Sequence, residues 1–119
     1  MNIFDFDGVV SVGVYPGPDD IIITGRTIEE AAIVAAFLTP RKIFCPVYFN
    51  PIRLADRTTG TDRSRTCSGN HKAAIISMLK ENGVPIGNVF EDDILQLDIL
   101  RKIHPDLNYV WLVHELVTM

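Results

Sequence analysis

The sequence lacks any long apolar run. Its longest, residues 31–38, ends well short of the ~20 residues that a membrane-spanning helix requires. The first apolar stretch also contains Asp5 and Asp7, whereas the apolar part of a secretory signal is uncharged. We therefore expect a protein with neither a membrane-spanning segment nor a signal peptide.

Cysteine is also scarce. The chain has two, Cys45 and Cys67, and neither belongs to a CxxC pair or a zinc-binding spacing. Cys45 lies in an apolar run, which is typical of a small core residue. This usage excludes a disulfide-based fold and favours a reducing, cytoplasmic location.

Basic residues are in the minority. The 119 residues include 11 Lys and Arg against 15 Asp and Glu, giving a formal net charge of -4 and a pI of about 5.2. A mildly acidic chain is not a general polyanion binder, so no stable complex with nucleic acid is expected. The length and the apolar fraction of 47% suit one folded domain that spans residues 1–119.

What the chain does contain is an alternation of β-type apolar runs and helical patterns, which predicts an α/β fold. Strands are predicted at residues 3–6, 21–23, 43–49, 88–90 and 109–113, the last of them as a buried strand. Helices are predicted at residues 31–38, 71–81 and 92–103. The predicted fold class is therefore α/β, a Rossmann-like three-layer sandwich with a mainly parallel sheet of about five strands.

The segments between the predicted strands and helices also have recognisable sequence patterns. Residues 9–15 alternate weakly and predict a small hairpin or flap, and residues 50–70 predict a long polar loop. Asn70 is the predicted N-cap of the following helix, and Gly83 is predicted to end it. The arginines of the 53–65 segment either contact a substrate or belong to a solvated loop.

Acidic residues gather where predicted strands end. Asp5 lies inside the first strand, where a carboxylate is costly unless it is paired or binds a cation, and Asp7 follows at the strand end. The acids at 91–93 follow the fourth strand, where they either cap a helix or bind a hard cation such as Mg²⁺. Ligands of parallel sheets bind beyond the carboxyl ends of the strands, so these acids are predicted to converge there.

A lysine and a polar strand end accompany the acids. Lys72 is predicted in the first turn of its helix, where a cation opposes the helix dipole. An anionic ligand would remove that conflict, although a solvated surface lysine fits equally well. Thr24, Gly25 and Arg26 end the second strand and either hold a phosphoryl oxygen or form an ordinary turn.

In order and spacing, these segments resemble the four motifs of the haloacid dehalogenase (HAD)-like hydrolase superfamily. The segment Asp5-Phe6-Asp7-Gly8 resembles the first motif, DxDG, and Ile22-Ile23-Thr24-Gly25-Arg26 resembles the second, a strand that ends in Thr or Ser. His71-Lys72-Ala73-Ala74 resembles the third motif, a lysine near a helix start. Val89-Phe90-Glu91-Asp92-Asp93 resembles the fourth, a strand that ends in acids.

The resemblance implies a catalytic scheme. Asp5 would attack phosphorus and form an aspartyl-phosphate, and Asp7 would serve as general acid and then as general base. Lys72 would neutralise charge on the nucleophile and the phosphate. The residues that would bind the substrate are Thr24, Gly25 and Arg26. An acid at position 7 favours a phosphatase, since dehalogenase relatives lack it.

The resemblance also implies a Mg²⁺ cofactor. Its ligands would be Asp5, the carbonyl of Asp7, and Asp92, with Asp93 competing for the last role. No segment is long enough for a cap domain, and capless relatives tend to act on large substrates. The expected substrate is a phosphate monoester on a nucleotide, a nucleic-acid end or another macromolecule.

Two other classes remain open. Receiver-like phospho-acceptor modules also combine aspartates, a threonine and a lysine around Mg²⁺, but their lysine follows the last strand and they lack an acid two residues after the phosphorylated position. A catalytically degenerate HAD-like interaction protein is the other alternative.

Overall fold

The computed structural model describes residues 1–52 and 61–113, which form an all-parallel five-stranded sheet with helices on both faces. The strands are β1 (Ile3–Phe4), β2 (Ile21–Thr27), β3 (Val47–Asn50), β4 (Asn88–Glu91) and β5 (Asn108–Trp111). The helices are α1 (Ala31–Leu38), α2 (Asp62–Glu81) and α3 (Ile94–Ile103), with 3-10 turns at Val10–Val12, Ile28–Glu30 and Thr39–Arg41. The predicted Rossmann-like three-layer α/β class is confirmed, and no cap domain is present within the described residues.

The strand order is β3-β2-β1-β4-β5. β2 and β3 lie on one side of β1, and β4 and β5 lie on its other side. β1 and β4 pair in register, with Phe4 opposite Phe90, and Asp5 N–H donates to the Phe90 carbonyl at 3.1 Å. The residues that follow β1 and β4 therefore lie side by side at the switch point, where open α/β sheets bind ligands.

The two faces of the sheet bury separate apolar clusters. Phe4 and Ile22 pack toward α1 with Val34 and Leu38. The alternate residues Ile3, Ile21, Ile23 and Val89 pack with Ala73 and Ile76 of α2 and Leu100 of α3. Side chains alternate along each strand, so apolar residues point to both faces of the sheet. Helices cover both faces, as parallel sheets require.

Helix α2 begins nine residues before its predicted start. Thr61 is its N-cap and accepts a hydrogen bond from Ser64 N–H at 3.2 Å, so Asn70 lies inside the helix and does not cap it. Ser64 and Ser68 are buried where this part of the helix faces inward, so the apolar periodicity that marks a helix is missing. The predicted end is correct: Gly83 has a φ of 71° and its N–H bonds the Lys80 carbonyl.

Other predicted boundaries also change. Residues 9–15, predicted as a small hairpin or flap, contain a 3-10 turn and no hairpin strands. β2 continues past Thr24 with an irregular register, and β3 starts after Pro46. β5 was predicted as a buried strand, but it is an edge strand and its last residue, Trp111, is half exposed. None of the helices in residues 1–52 and 61–113 has the length and apolar character needed to cross a membrane.

Candidate functional site

Three buried charged side chains meet at the carboxyl edge of the sheet. Lys72, from the middle of α2, donates from Nζ to Asp5 Oδ1 at 2.8 Å and to Glu91 Oε2 at 2.6 Å. Asp5 follows β1 and Glu91 ends β4, so the adjacent strands place both carboxylates beneath the same helix. All three residues are less than one-tenth exposed.

Burial and charge act against each other in this group. Burial raises the pKa of Asp5 well above its ordinary value, and the Lys72 ammonium only partly offsets this. Glu91 and a hydrogen bond with Asp92 raise the Asp5 pKa further. Burial alone would lower the pKa of Lys72, but the two carboxylates outweigh it and raise that pKa. The buried group holds two carboxylates against one ammonium, so it favours an additional positive charge.

The location of Lys72 corrects the sequence argument. The lysine was predicted in the first turn of a helix, exposed to the helix dipole, yet it lies far from the start of α2. The dipole conflict therefore does not exist. Lys72 is buried because its ammonium reaches both carboxylates.

Asp92 adds a third acid to the site. Carboxylate oxygens of Asp5, Glu91 and Asp92 lie within 4.8 Å of one another. Asp92 lies directly against Gly8: a Cβ added there would stand 2.0 Å from Asp92 Oδ2, and the φ of Gly8 is 81°. The Asp92 carboxylate fits in this position only because residue 8 is a glycine and has no side chain. The donor set consists of carboxylate oxygens, which fits a hard cation such as Mg²⁺.

Asp93 has a different environment from Asp92. It binds Arg65 through both oxygens, at 2.9 Å and 2.5 Å, and accepts the N-cap hydrogen bond from Leu95 N–H at 2.9 Å. Burial would raise the pKa of Asp93, but the Arg65 contacts and the N-cap bond outweigh it and lower the pKa. Of the two acids that compete for the predicted metal role, the geometry favours Asp92.

Asp7 faces Arg26. The guanidinium donates to both oxygens of Asp7, at 2.8 Å and 2.9 Å, and to Glu30 at 3.0 Å. The hydrogen bond to Asp7, against the opposing effect of burial, raises the pKa of Arg26. The side chain of Asp7 is 54% exposed and lies outside the buried acidic group. The predicted substrate-binding Arg26 and the predicted acid–base residue Asp7 are therefore paired with each other.

Thr24 and Gly25 lie on β2, next to β1. Thr24 is fully buried and its Oγ1 accepts a hydrogen bond from Arg26 N–H at 3.0 Å. A Cβ on Gly25 would stand 2.3 Å from Ser68 Oγ, so glycine allows α2 to approach this strand closely. The close helix contact gives Gly25 a structural role that the sequence did not reveal. Arg53 and Arg57 of the predicted substrate loop lie outside the described residues.

Glu91 was predicted only as one of three consecutive acids, and its ion pair with Lys72 was not foreseen. Besides the ion pair with Lys72, its Oε1 accepts hydrogen bonds from the backbone N–H groups of Asp92 and Asp93, both at 3.2 Å. An acid at the last position of a buried strand was the available signal. It was missed because the three consecutive acids were considered together, as helix caps or as ligands of a hard cation.

Comparisons with known proteins place the chain in no family. No protein-family model matches it, and neither a curated protein nor a solved structure matches it. The resemblance to HAD-like hydrolases therefore rests on the four sequence motifs and remains a prediction.

Proposed function

We propose that this chain is a Mg²⁺-dependent, HAD-like phosphatase that hydrolyses phosphate monoesters through an aspartyl-phosphate on Asp5. One observation carries the proposal: a buried aspartate at the switch point of a parallel sheet contacts a buried lysine and lies within reach of Asp92. A carboxylate that serves as a nucleophile toward a phosphate dianion needs positive charge beside it, and Lys72 supplies part of it.

The chemistry assigned to Asp5 follows from its contacts. Lys72 occupies Oδ1, so Oδ2 is the oxygen that attacks phosphorus. An O–P bond forms to Asp5 while the P–O bond to the leaving group breaks, and water then hydrolyses the acyl phosphate and restores the carboxylate. Asp5, Asp92 and the Asp7 carbonyl would hold Mg²⁺, which when bound neutralises charge on the phosphoryl oxygens.

Asp7 is the proposed general acid and base. Arg26 holds both of its oxygens, so this ion pair has to open before Asp7 can give a proton to the leaving oxygen. Opening the pair also frees the guanidinium to bind a phosphoryl oxygen, as a fork of N–H donors suits phosphate. The same contact therefore links substrate binding by Arg26 to proton transfer by Asp7.

The proposed substrate class follows from the lack of a cap domain within the described residues. With no lid over the carboxyl edge, a phosphate on a nucleotide, a nucleic-acid end or another macromolecule has access to the site. Binding would be transient, because the chain carries a net negative charge. We place this activity in the cytoplasm.

The test is Mg²⁺-dependent release of phosphate from a generic aryl phosphate. We expect turnover by the wild-type protein and none by Asp5→Asn, because the amide cannot form the acyl phosphate. Asp106→Asn is the control, since Asp106 is exposed and pairs with Lys80 on another part of the surface. Equal rates in wild type and Asp5→Asn would refute the assignment of the nucleophile.

Two further outcomes would favour the rival classes. A long-lived phosphorylated Asp5 without turnover would favour a receiver-like phospho-acceptor. Failure of the wild-type protein to bind Mg²⁺ in calorimetry would favour a degenerate HAD-like interaction protein.

A further inference from the structure

Trp111 contacts the acidic segment from outside the site. It is the only tryptophan of the chain, it ends β5, and it is 47% exposed. Across the β4–β5 ladder its register partner is Glu91. Its indole Nε1–H donates to the backbone carbonyl of Asp92 at 3.1 Å, and the next residue, Leu112, donates its N–H to the Glu91 carbonyl at 2.9 Å.

We infer that Trp111 is a positioning residue that orients Asp92 toward Asp5. This inference rests on the proposed role of Asp92 as a Mg²⁺ ligand. Asp92 lies between the last residue of β4 and the N-cap of α3, so neither element fixes its backbone. Its N–H is held by Glu91 Oε1 and its carbonyl by the Trp111 indole.

A side-chain donor is needed at this point because the sheet ends. The last backbone bond of the β4–β5 junction is Leu112 N–H to the Glu91 carbonyl, one residue before Asp92. The indole N–H extends that row by one hydrogen bond. With both backbone groups held, the Asp92 carboxylate is kept against Gly8 and beside Asp5.

Packing alone does not explain why a tryptophan occupies position 111. About half of its surface remains in solvent at an edge strand, so it gains far less from burial than a core tryptophan would. A group that holds a metal ligand in place typically contributes a factor of about 10–100 to metal affinity. Removing the indole N–H should therefore weaken Mg²⁺ binding more than it weakens the fold.

The test compares Trp111→Phe with Tyr109→Phe. Phenylalanine at 111 keeps an aromatic ring and removes the N–H. Tyr109 lies on the same strand and face, and its hydroxyl donates to the carbonyls of Leu100 and His104, away from the acids. Calorimetry measures the Mg²⁺ dissociation constant, and urea unfolding in EDTA measures stability.

We expect Trp111→Phe to weaken Mg²⁺ binding about 10-fold or more, while Tyr109→Phe binds as the wild type does. In EDTA, Trp111→Phe should be at least as stable as Tyr109→Phe, which loses the hydroxyl donor that the two carbonyls share. Unchanged Mg²⁺ affinity in Trp111→Phe, or an equal loss in both variants, would overturn the inference.

A second readout needs no change at Trp111. Because the chain has a single indole, its fluorescence should change with Mg²⁺ along the calorimetric binding curve, and Asp92→Asn should abolish the change. Mg²⁺ binding without any fluorescence change would also count against the inference. Absence of Mg²⁺ binding to wild type would refute the proposed function itself. Normal binding and turnover with an unaffected Trp111→Phe would refute only the role of Trp111.

Discussion

Replacing Lys72 by methionine tests the buried ion group directly. Methionine has nearly the same length and removes only the ammonium. Asp5 and Glu91 would then face each other with no cation between them, each less than one-tenth exposed. In the metal-free protein at neutral pH, this leaves two carboxylates in a site that stabilises neither.

The expected loss is large. Both hydrogen bonds to Lys72 are short, at 2.8 Å and 2.6 Å, and both acceptors are buried. Removing one partner of such a buried pair costs about 3–5 kcal/mol, because an uncompensated charge remains inside. A domain of this size has a total stability of about 5–15 kcal/mol, so the variant should lose a substantial part of it.

Urea unfolding in EDTA measures the change, with Lys80→Met as the matched control. Lys80 lies two turns further along α2 and pairs with Asp106 at 2.7 Å, in contact with solvent. Surface ion pairs of this kind contribute little, so the control should unfold close to the wild-type midpoint. Adding Mg²⁺ should restore part of the stability of Lys72→Met, since a cation near Asp5 replaces some of the lost charge.

A Lys72→Met variant that is no less stable than Lys80→Met would refute this reasoning. It would mean that the two carboxylates relax into solvent or share a proton without cost. The ion group could then not be the feature that organises the carboxyl edge of the sheet.

Two further predictions concern the same edge. Burial raises the pKa of Asp5, so the stability that the metal-free wild type gains from a neutral Asp5 should be fully present below about pH 4 and should be lost as the pH rises through the folded-state pKa of Asp5. Asp5→Asn cannot ionise and should become progressively more stable than wild type, and parallel urea-unfolding stabilities from about pH 4 to pH 8 in EDTA would contradict this. Gly8→Ala should cost more than the roughly 1–2 kcal/mol of a left-handed alanine and should weaken Mg²⁺ binding, since the new Cβ meets Asp92. Gly83→Ala is its control, with a φ of 71° and open space around the position, and equal urea-unfolding losses in the two variants would contradict the predicted contact.

Hydrophobic periodicity was sufficient to predict the fold class. Five strands and three helices were predicted along the chain, and the parallel arrangement followed from their alternation. The meeting of Asp5 with Asp92 was also predictable, because strands of a parallel sheet carry their ends to one edge. Magnesium binding and hydrolysis remain predictions.

The failures have two physical causes. The first turns of α2 place Ser64 and Ser68 inward where apolar residues are expected, so a period-based argument could not see the helix. That hid the true position of Lys72 within α2. The burial of Glu91 and the contact of Trp111 with Asp92 depend on which strands are neighbours, which the chain order alone does not reveal.

The charge at the switch point explains why the site is built this way. Three carboxylates, from Asp5, Glu91 and Asp92, and one ammonium leave two formal negative charges around a partly buried position. Such an arrangement lowers the stability of the empty protein and is tolerated where a ligand compensates it. In the proposed mechanism a divalent cation would balance that charge, and an arriving phosphate would add negative charge that Arg26 could meet once it released Asp7. Under this proposal, the charge imbalance is the feature that would couple cation binding, substrate binding and the release of Asp7, the proposed acid–base residue.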